Sequence, residues 1–174
     1  MVKQLKPLGF NIGYIIRESV GYTREHKFEF PFLDLSDDLM AKDFSGQITF
    51  SRTQRGILLD VHFEATVPTT CARCLDAMLS RVVSDFTELY AFDHRTETES
   101  GLIVPDSGYI DITPLVREYL LLDIPTRPLC KTDCAGLCPV CGENRNEVDC
   151  GCETESIDPR LSALQDLLNT DDDE

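Results

Sequence analysis

The chain has 174 residues, which is enough for one domain or for one domain with a small appended module. Hydrophobic residues make up 42% of it, and 31 acidic residues against 16 basic ones give a formal net charge of −15. This balance argues against a general affinity for nucleic acid, which depends on Lys and Arg neutralising phosphates, and it favours basic proteins as partners.

The sequence contains no run of about 18 apolar residues, so no transmembrane helix is predicted. Its first residues, M-V-K-Q-L-K-P-L-G-F, have neither an apolar core region nor a small-residue cleavage site, so no secretory signal is predicted there. The eight cysteines are then expected to lie in the reducing cytoplasm, where closely spaced thiols bind metal more often than they form disulfides.

The first half of the chain predicts β-strands. The segment H-K-F-E-F-P-F-L-D-L (26–35) alternates, which puts Phe28, Phe30 and Phe32 on one side, and Pro31 indicates an edge strand.

A hairpin is predicted next, because the strand-like segments 47–52 and 57–67 flank the turn T-Q-R-G. The apolar residues that share one face of its second strand are Val61, Phe63, Ala65 and Val67.

The segment L-S-R-V-V-S-D-F-T-E-L-Y-A-F (79–92) fits two structures. The spacing of Val82, Phe86 and Tyr90 suits a helix, whereas the β-branched and aromatic content favours a strand, which is the prediction we adopt. The polar segment 93–101 that follows predicts a loop.

A helix is predicted over I-T-P-L-V-R-E-Y-L-L-L-D-I-P (112–125), with Thr113 as its cap, Pro114 in its first turn and Pro125 at its end. A second helix is predicted over 156–168, where one stripe is formed by Leu161, Leu164 and Leu168.

These elements predict an α+β fold. It consists of an antiparallel β-sheet or partly closed barrel, then a helix, a cysteine-rich zinc knuckle segment and a C-terminal docking helix. We expect residues 1–128 to form the mainly antiparallel β domain and residues 129–168 to form the zinc-binding segment with its helix, packed on that domain. Residues 169–174 are expected to be a disordered acidic tail.

The spacing of the cysteines indicates metal binding. A C-x-x-C turn, present at Cys71/Cys74 and at Cys138/Cys141, directs two sulfurs at one point, and two such turns satisfy tetrahedral zinc at about 2.3 Å per sulfur. Gly142 can adopt the positive φ that lets the second turn close. The preferred division has one zinc site at Cys71, Cys74, Cys130 and Cys134, and another at Cys138, Cys141, Cys150 and Cys152.

Other arrangements stay open at this point. The C-G-C at 150–152 has one residue between its sulfurs, so a shared cluster is an alternative, as is a mixed set of Cys134, Cys138, Cys141 and Cys150. Disulfides, free thiols and iron–sulfur ligation are the less favoured interpretations.

The sequence does not predict an enzyme. A catalytic zinc usually has a His or carboxylate ligand and an open position, yet all three histidines lie outside the cysteine segment, at His26, His62 and His94. The chain has no Gly-rich phosphate loop and no nucleophile elbow, and S-D-D (36–38) is typical of a solvated charge run. No catalytic residue is therefore proposed.

Basic residues near the cysteines are few. Between residues 130 and 152 only Lys131 and Arg145 are basic, and they are outnumbered by Asp133, Glu143, Glu147 and Asp149. A local basic patch for RNA would need the fold to gather Arg73, Arg81, Arg117, Arg127 and Lys131.

Three segments resemble the bacterial YceD family of large ribosomal RNA subunit accumulation proteins. They are C-A-R-C-L (71–75), P-L-C-K-T-D-C-A-G-L-C-P-V-C-G-E-N-R-N (128–146) and I-D-P-R-L-S-A-L (157–164). The resemblance implies a non-enzymatic cytoplasmic protein, needed for normal amounts of large-subunit ribosomal RNA and with plastid relatives in plants. It establishes no catalytic residues.

We therefore expect a ribosome-biogenesis accessory protein with two structural zinc ions. Its acidic surface is expected to shield a basic ribosomal protein or a large-subunit assembly intermediate, with indirect or local RNA contact left open and with neither a membrane nor a small-molecule substrate. The alternative is a thiol and zinc redox sensor or redox-regulated chaperone, which the closely paired cysteines favour.

Overall fold

The computed structural model describes residues 7–36, 39–95 and 98–152. In these ranges the elements are the strands β1 (Gly9–Asn11), β2 (Thr23–Ser36), β3 (Leu39–Arg52), β4 (Gly56–Thr70), β5 (Ala77–Ala91) and β6 (Tyr109–Asp111), the helix α1 (Thr113–Asp123) and a 3-10 turn at Ile15–Arg17. The predicted helix 156–168, the acidic tail 169–174 and residues 37–38 of the S-D-D run lie outside the described residues.

The chain divides into two compact units. The first unit runs to Cys71 and resumes from Ala77 to Pro128, so it contains every strand and helix named above. The second unit is Ala72–Asp76 together with the described residues from Leu129 onward. Residues 72–76 lie between β4 and β5, so the tip of that hairpin belongs to the second unit.

Strands β2 to β5 form one antiparallel sheet, in which each strand pairs with the next along the chain. The predicted antiparallel sheet followed by a helix is thus confirmed for the described part of the chain. The barrel alternative is wrong, because β2 and β5 are the two edges of an open sheet and do not pair with each other in that part. Strands β1 and β6 form a separate two-stranded ladder.

The alternation of β4 places its apolar residues on the covered face of the sheet. Val61, Phe63, Ala65 and Val67 are all buried, as predicted, while Asp60 and His62 on the opposite face are exposed. All of the segment 79–92 except Phe92 lies in β5, which confirms the strand predicted from its β-branched and aromatic content.

Strand β2 lies at an edge of the sheet, as Pro31 predicted. Phe28 and Phe30 pack against the core, but Phe32 is 66% exposed and Leu33 is buried in its place. The prediction that the three phenylalanines lie on one side of the strand is therefore wrong at Phe32, because the inward face of the strand shifts by one residue after Pro31.

The neighbouring strand β3 shows the same shift and its cause. Its register against β4 changes between Lys42 and Ser45, where Asp43 adopts a φ of 47°. An extra residue in one strand of an antiparallel pair is a β-bulge, and it interchanges the two faces of the strand. As a result Ala41 and Phe44, three residues apart, are both buried.

A row of aromatic rings crosses the first unit. Phe28 lies 5.4 Å from Phe44 between ring centroids, Phe44 lies 5.2 Å from Phe63, and Phe63 lies 6.4 Å from Phe86. Phe86 in turn stacks on Tyr119 of α1 at 4.2 Å. Such pairs each add about 0.5–1.5 kcal/mol beyond the area that they bury, so the row fixes the helix to the sheet.

Helix α1 begins and ends close to its predicted bounds, with Pro114 in its first turn. The predicted cap is wrong, since the cap residue is Ile112 without a side-chain cap, and Asp111 Oδ1 instead accepts from the backbone N–H and hydroxyl of Thr113. No helix in the described ranges is long and apolar enough to cross a membrane.

Candidate metal centres

The first group of thiols combines the tip of the β4–β5 hairpin with the start of the cysteine-rich segment. Cys71 directly follows β4, Cys74 lies in the tip, and the Sγ atoms of these two and of Cys130 and Cys134 all lie within 4.8 Å of one another. Cys71, Cys74 and Cys134 are buried, while Cys130 is exposed. We call these four residues the inner tetrad.

The spacing of the inner tetrad fits one tetrahedral ion. Zinc–sulfur bonds of about 2.3 Å at tetrahedral angles separate the sulfurs by about 3.8 Å. The Sγ atoms of Cys74 and Cys130 are 3.6 Å apart. The arrangement of the four thiols is therefore compatible with a single metal ion.

Backbone contacts hold the hairpin tip against the segment that carries Cys134. The N–H of Leu137 donates to the carbonyl of Arg73 at 3.1 Å, and the Arg73 guanidinium donates to the carbonyl of Cys134 at 2.8 Å. At Gly136, which has a φ of 74°, an added Cβ would lie 3.1 Å from the Arg73 carbonyl oxygen. The positive φ and this close approach together favour a glycine at position 136.

The second group lies entirely within residues 138–152. The Sγ atoms of Cys138, Cys141, Cys150 and Cys152 also lie within 4.8 Å of one another. Cys138 is buried, Cys150 and Cys152 are half-buried, and Cys141 is exposed. We call these four residues the outer tetrad.

The C-P-V-C-G turn of the outer tetrad closes on itself. The N–H of Gly142 donates to the carbonyl of Cys138 at 2.9 Å, and the N–H of Cys138 donates to the carbonyl of Glu143 at 2.8 Å. Gly142 has a φ of 80°, as its place after the C-x-x-C pair predicts. In the inner tetrad the equivalent position is Leu75, which has a φ of 63° although it carries a side chain.

The turn also lowers the pKa of one of its thiols, which favours the thiolate form that binds a cation. Backbone N–H groups of Cys141 and Val140 point at the sulfur of Cys138 and lower the pKa of that thiol to about 6. By contrast, the thiols of Cys141 and Cys150 raise the pKa of Cys152 to about 12. Because thiols bind metal as thiolates, the lowered pKa favours the form of Cys138 that could hold a metal ion.

Cys134 of the inner tetrad is stabilised as a thiolate by a side chain. Asn146 Nδ2 donates to its sulfur at 3.3 Å and, together with the backbone N–H of Gly136, lowers the pKa of the Cys134 thiol. Asn144 and Asn146 were not singled out as site residues from the sequence. Their alternation in E-N-R-N, directly after a C-x-x-C-G turn, is the signal that could have indicated them.

The structure thus gathers the eight predicted cysteines into the two sets of the preferred division, and the mixed set is not formed. No histidine belongs to either set of thiols in the described residues. His62 is exposed on the outer face of the sheet, where its Nδ1 lies 2.6 Å from Asp85 Oδ1. The ring of His26 contacts the hydroxyl of Tyr14. Of the arginines considered for an RNA patch, Arg73 binds the Cys134 carbonyl and Arg81 pairs with Glu64.

Comparison with known proteins identifies the family. The family described as large ribosomal RNA subunit accumulation protein YceD matches residues 59–168. Uncharacterized proteins of Mycobacterium tuberculosis and Mycobacterium bovis are 35% identical over 124 residues, which is 68% of this chain and 58% of theirs. The chain thus spans less than two thirds of the length of these curated relatives.

Two further relatives are more distant. The uncharacterized protein YlbN of Bacillus subtilis is 34% identical over 87 residues, covering 49% of this chain and 51% of its own. The chloroplastic large ribosomal RNA subunit accumulation protein YCED homolog 1 of Arabidopsis thaliana is 33% identical over 63 residues. The match covers 36% of this chain and 20% of that protein. No solved structure matches the chain. With the family match covering both C-x-x-C pairs and all eight cysteines, the chain belongs to the YceD family.

Proposed function

We propose that this protein is a non-enzymatic accessory factor of large ribosomal subunit assembly, in which two structural zinc ions hold the cysteine-rich unit and an acidic surface binds a basic protein. The observation that carries the proposal is the family match over residues 59–168. The name of the chloroplastic relative supports the link to large-subunit ribosomal RNA. The reducing cytoplasm is part of the proposal, because the thiols must stay reduced to bind metal.

Zinc is the proposed metal because both donor sets consist of four thiols. Four-thiolate sites are closed and structural, so a bound zinc ion would join the segments that carry its ligands without offering a position to a substrate. Sulfurs within 4.8 Å of one another suit a single ion better than a multi-iron cluster. The proposed ligands are the inner tetrad for one ion and the outer tetrad for the other.

The outer face of the sheet is the proposed binding surface for the basic partner. Its exposed carboxylates include Glu25, Glu29, Asp60 and Asp85, which the strand register places on one side of three strands. Lys27 lies among them and Glu64 is paired with Arg81, so the face stays acidic overall. Such a field steers a basic partner to this side of the sheet and has a weaker effect at high salt.

Neutralising this face tests the partner. The variant Glu25→Gln/Glu29→Gln/Asp60→Asn/Asp85→Asn should capture basic large-subunit proteins from a lysate several-fold less well than the wild type. A matched control neutralises four exposed carboxylates of the same unit elsewhere, as Glu18→Gln/Glu99→Gln/Asp106→Asn/Asp123→Asn, with the same change in net charge. Equal losses from both variants would mean that overall charge, not this face, governs binding.

Digestion of RNA tests whether the contact is with protein. Capture of large-subunit proteins should survive treatment of the lysate with ribonuclease, and purified ribosomal RNA alone should bind weakly at physiological salt. If every ribosomal partner is lost after digestion while bare RNA binds tightly, the acidic surface is not the binding site.

A redox sensor is the second candidate, and the exposure of Cys141 favours it. A sensor should release the zinc of the outer tetrad at peroxide concentrations that leave the rest of the chain unmodified, with recovery on reduction. A structural site should keep its zinc under the same treatment. Zinc release followed with a chromogenic chelator distinguishes the two.

A further inference from the structure

Two asparagines of the outer tetrad's loop contact the segments that carry the inner tetrad. Asn144 and Asn146 lie between Cys141 and Cys150, so closing the outer tetrad determines where this loop runs. Both side chains are half-buried, while Arg145 between them is exposed.

The side-chain amide of Asn146 makes two hydrogen bonds to the segment that carries Cys134. Its Nδ2 donates to the Cys134 sulfur at 3.3 Å, and its Oδ1 accepts from the N–H of Ala135 at 2.9 Å. The side chain therefore fixes both the position of a ligand sulfur and the backbone next to it. A hydrogen bond to a ligand atom orients that ligand and tunes its affinity for the metal.

Asn144 holds Asn146 and reaches the hairpin tip. The Oδ1 of Asn144 accepts two hydrogen bonds from Asn146, one from its Nδ2 at 2.8 Å and one from its backbone N–H at 3.1 Å. The Nδ2 of Asn144 donates to the carboxylate of Asp76 at 3.0 Å, two residues after Cys74. The two asparagines thus join the two arms of the inner tetrad through a loop that belongs to the outer one.

A backbone contact runs beside these side chains. The N–H of Arg145 donates to the carbonyl of Gly136 at 2.9 Å, and Leu137 pairs with Asn144 in an isolated antiparallel bridge. The loop is therefore already placed next to the Cys134 segment, and the side chains of Asn144 and Asn146 add the contacts to the ligand sulfur and to the hairpin tip.

We propose that Asn144 and Asn146 are positioning residues that couple the two tetrads, so that metal in the outer tetrad raises the metal affinity of the inner tetrad. This inference rests on the proposed function, because it requires that both tetrads bind metal. When the outer tetrad is empty, the loop is released and Asn146 no longer orients the Cys134 sulfur. Coupling of this kind is reciprocal, so metal in the inner tetrad also favours closure of the outer one.

A double-mutant cycle with cobalt(II) as the probe tests the coupling. Cys141→Ser disables the outer tetrad and leaves all four inner thiols, so the cobalt–thiolate absorbance of this variant reports the inner site alone. We expect Cys141→Ser to weaken cobalt binding at the inner tetrad by about 5-fold to 100-fold relative to the wild type. In the Asn146→Ala background the inner tetrad should already be weak, and adding Cys141→Ser should change it less than twofold.

Arg145→Ala is the matched control, because it removes an exposed neighbouring side chain and retains the backbone bond to Gly136. It should keep the full effect of Cys141→Ser. Circular dichroism of every variant checks that the sheet is retained, and the cobalt stoichiometry of Asn146→Ala should remain two per chain at saturation.

The outcomes separate the two proposals. If Cys141→Ser leaves the affinity of the inner tetrad unchanged, or if Asn146→Ala leaves the effect of Cys141→Ser at full size, the coupling is wrong while the metal sites stand. A wild-type protein that binds neither cobalt nor zinc overturns the metal sites and the coupling together.

Discussion

The two units of the chain are stabilised in different ways. The first unit has a continuous apolar core, in which Phe44, Phe50 and Phe63 are fully buried. In the described part of the second unit the buried residues are Cys74, Cys134, Gly136 and Cys138, while its valines, Val140 and Val148, are 64% and 51% exposed. The first unit thus has an apolar core, whereas the buried side chains in the described part of the second unit are those of cysteines.

This difference explains why so many cysteines occur in so short a segment. Units smaller than about 70–80 residues seldom gain enough stability from an apolar core alone, and they often depend on disulfides or metals. The second unit has neither an apolar core nor a named strand or helix among its described residues. If both tetrads bind metal as proposed, metal binding supplies much of the folding free energy of this unit.

Removal of metal should give the largest difference between the units. After treatment with a strong chelator, the amides of residues 129–152 should exchange at the rate of an unfolded chain, while those of β3 and β4 stay protected. Hydrogen exchange with mass spectrometry measures both in one sample, and the same chelator saturated with zinc is the control. Loss of protection throughout β3 and β4 would contradict the independence of the sheet's core.

Truncation in the apolar core should affect the first unit. Phe63→Ala removes a ring that contacts Phe44 and Phe86, and it should lower the free energy of unfolding by about 3–5 kcal/mol. Urea unfolding followed by circular dichroism measures this loss. Val83→Ala on the same sheet is the control, because Val83 is 50% exposed and should change stability by less than about 0.5 kcal/mol. Similar losses from both variants would contradict the proposed core.

The contact between α1 and β5 predicts a pH effect confined to the first unit. The hydroxyl of Tyr119 donates to Glu88 at 2.8 Å, which raises the pKa of Tyr119 to about 12. Tyr119→Phe keeps the stack on Phe86 and should lose about 1 kcal/mol at pH 7.

The sign of this pH effect follows from the raised pKa. Because the folded state favours the neutral phenol, the bond stabilises fully below the unfolded pKa of about 10 and is lost as the pH rises towards about 12. The difference between wild type and Tyr119→Phe should shrink over that interval. Burial also raises the pKa of Tyr90 to about 12, but Tyr90 is common to both proteins and cancels in the difference. A difference that stays constant up to pH 12 would contradict the raised pKa of Tyr119.

The smallest predicted effect compares the two C-x-x-C turns. Leu75 and Gly142 occupy the same position after their pairs, both with positive φ. Leu75→Gly should stabilise the zinc-loaded protein by about 0.5 kcal/mol, since the strain that it relieves exceeds the added entropy of the unfolded chain. Gly142→Ala should destabilise it by about 1 kcal/mol, although no atom lies within 4 Å of the added Cβ. Thermal unfolding measures both, and shifts of the same sign would contradict equivalent turns.

The sequence predicted the features that depend on local patterns. The alternation of Val61, Phe63, Ala65 and Val67 identified β4 and its buried face, and the C-x-x-C spacings predicted which thiols meet. Both are short-range regularities, since a strand repeats every two residues and a C-x-x-C turn closes within four.

The errors arose where distant segments determine the outcome. Phe32 is exposed because the inward face shifts at the position where β3 carries its bulge at Asp43, and nothing near Phe32 except Pro31 signals that shift. The role of Asn146 depends on the Cys134 segment, twelve positions away, and that of Asn144 on the hairpin tip, 68 positions away. Amide side chains bind many partners, so the residue type alone does not identify the contact.

Native mass spectrometry of the purified wild-type protein tests whether each tetrad holds one zinc ion, because it counts metal ions on the intact chain. We expect a mass corresponding to two zinc ions per chain with all eight cysteines reduced. A folded chain that carries no metal, a single ion shared by both tetrads, or iron with sulfide would contradict it.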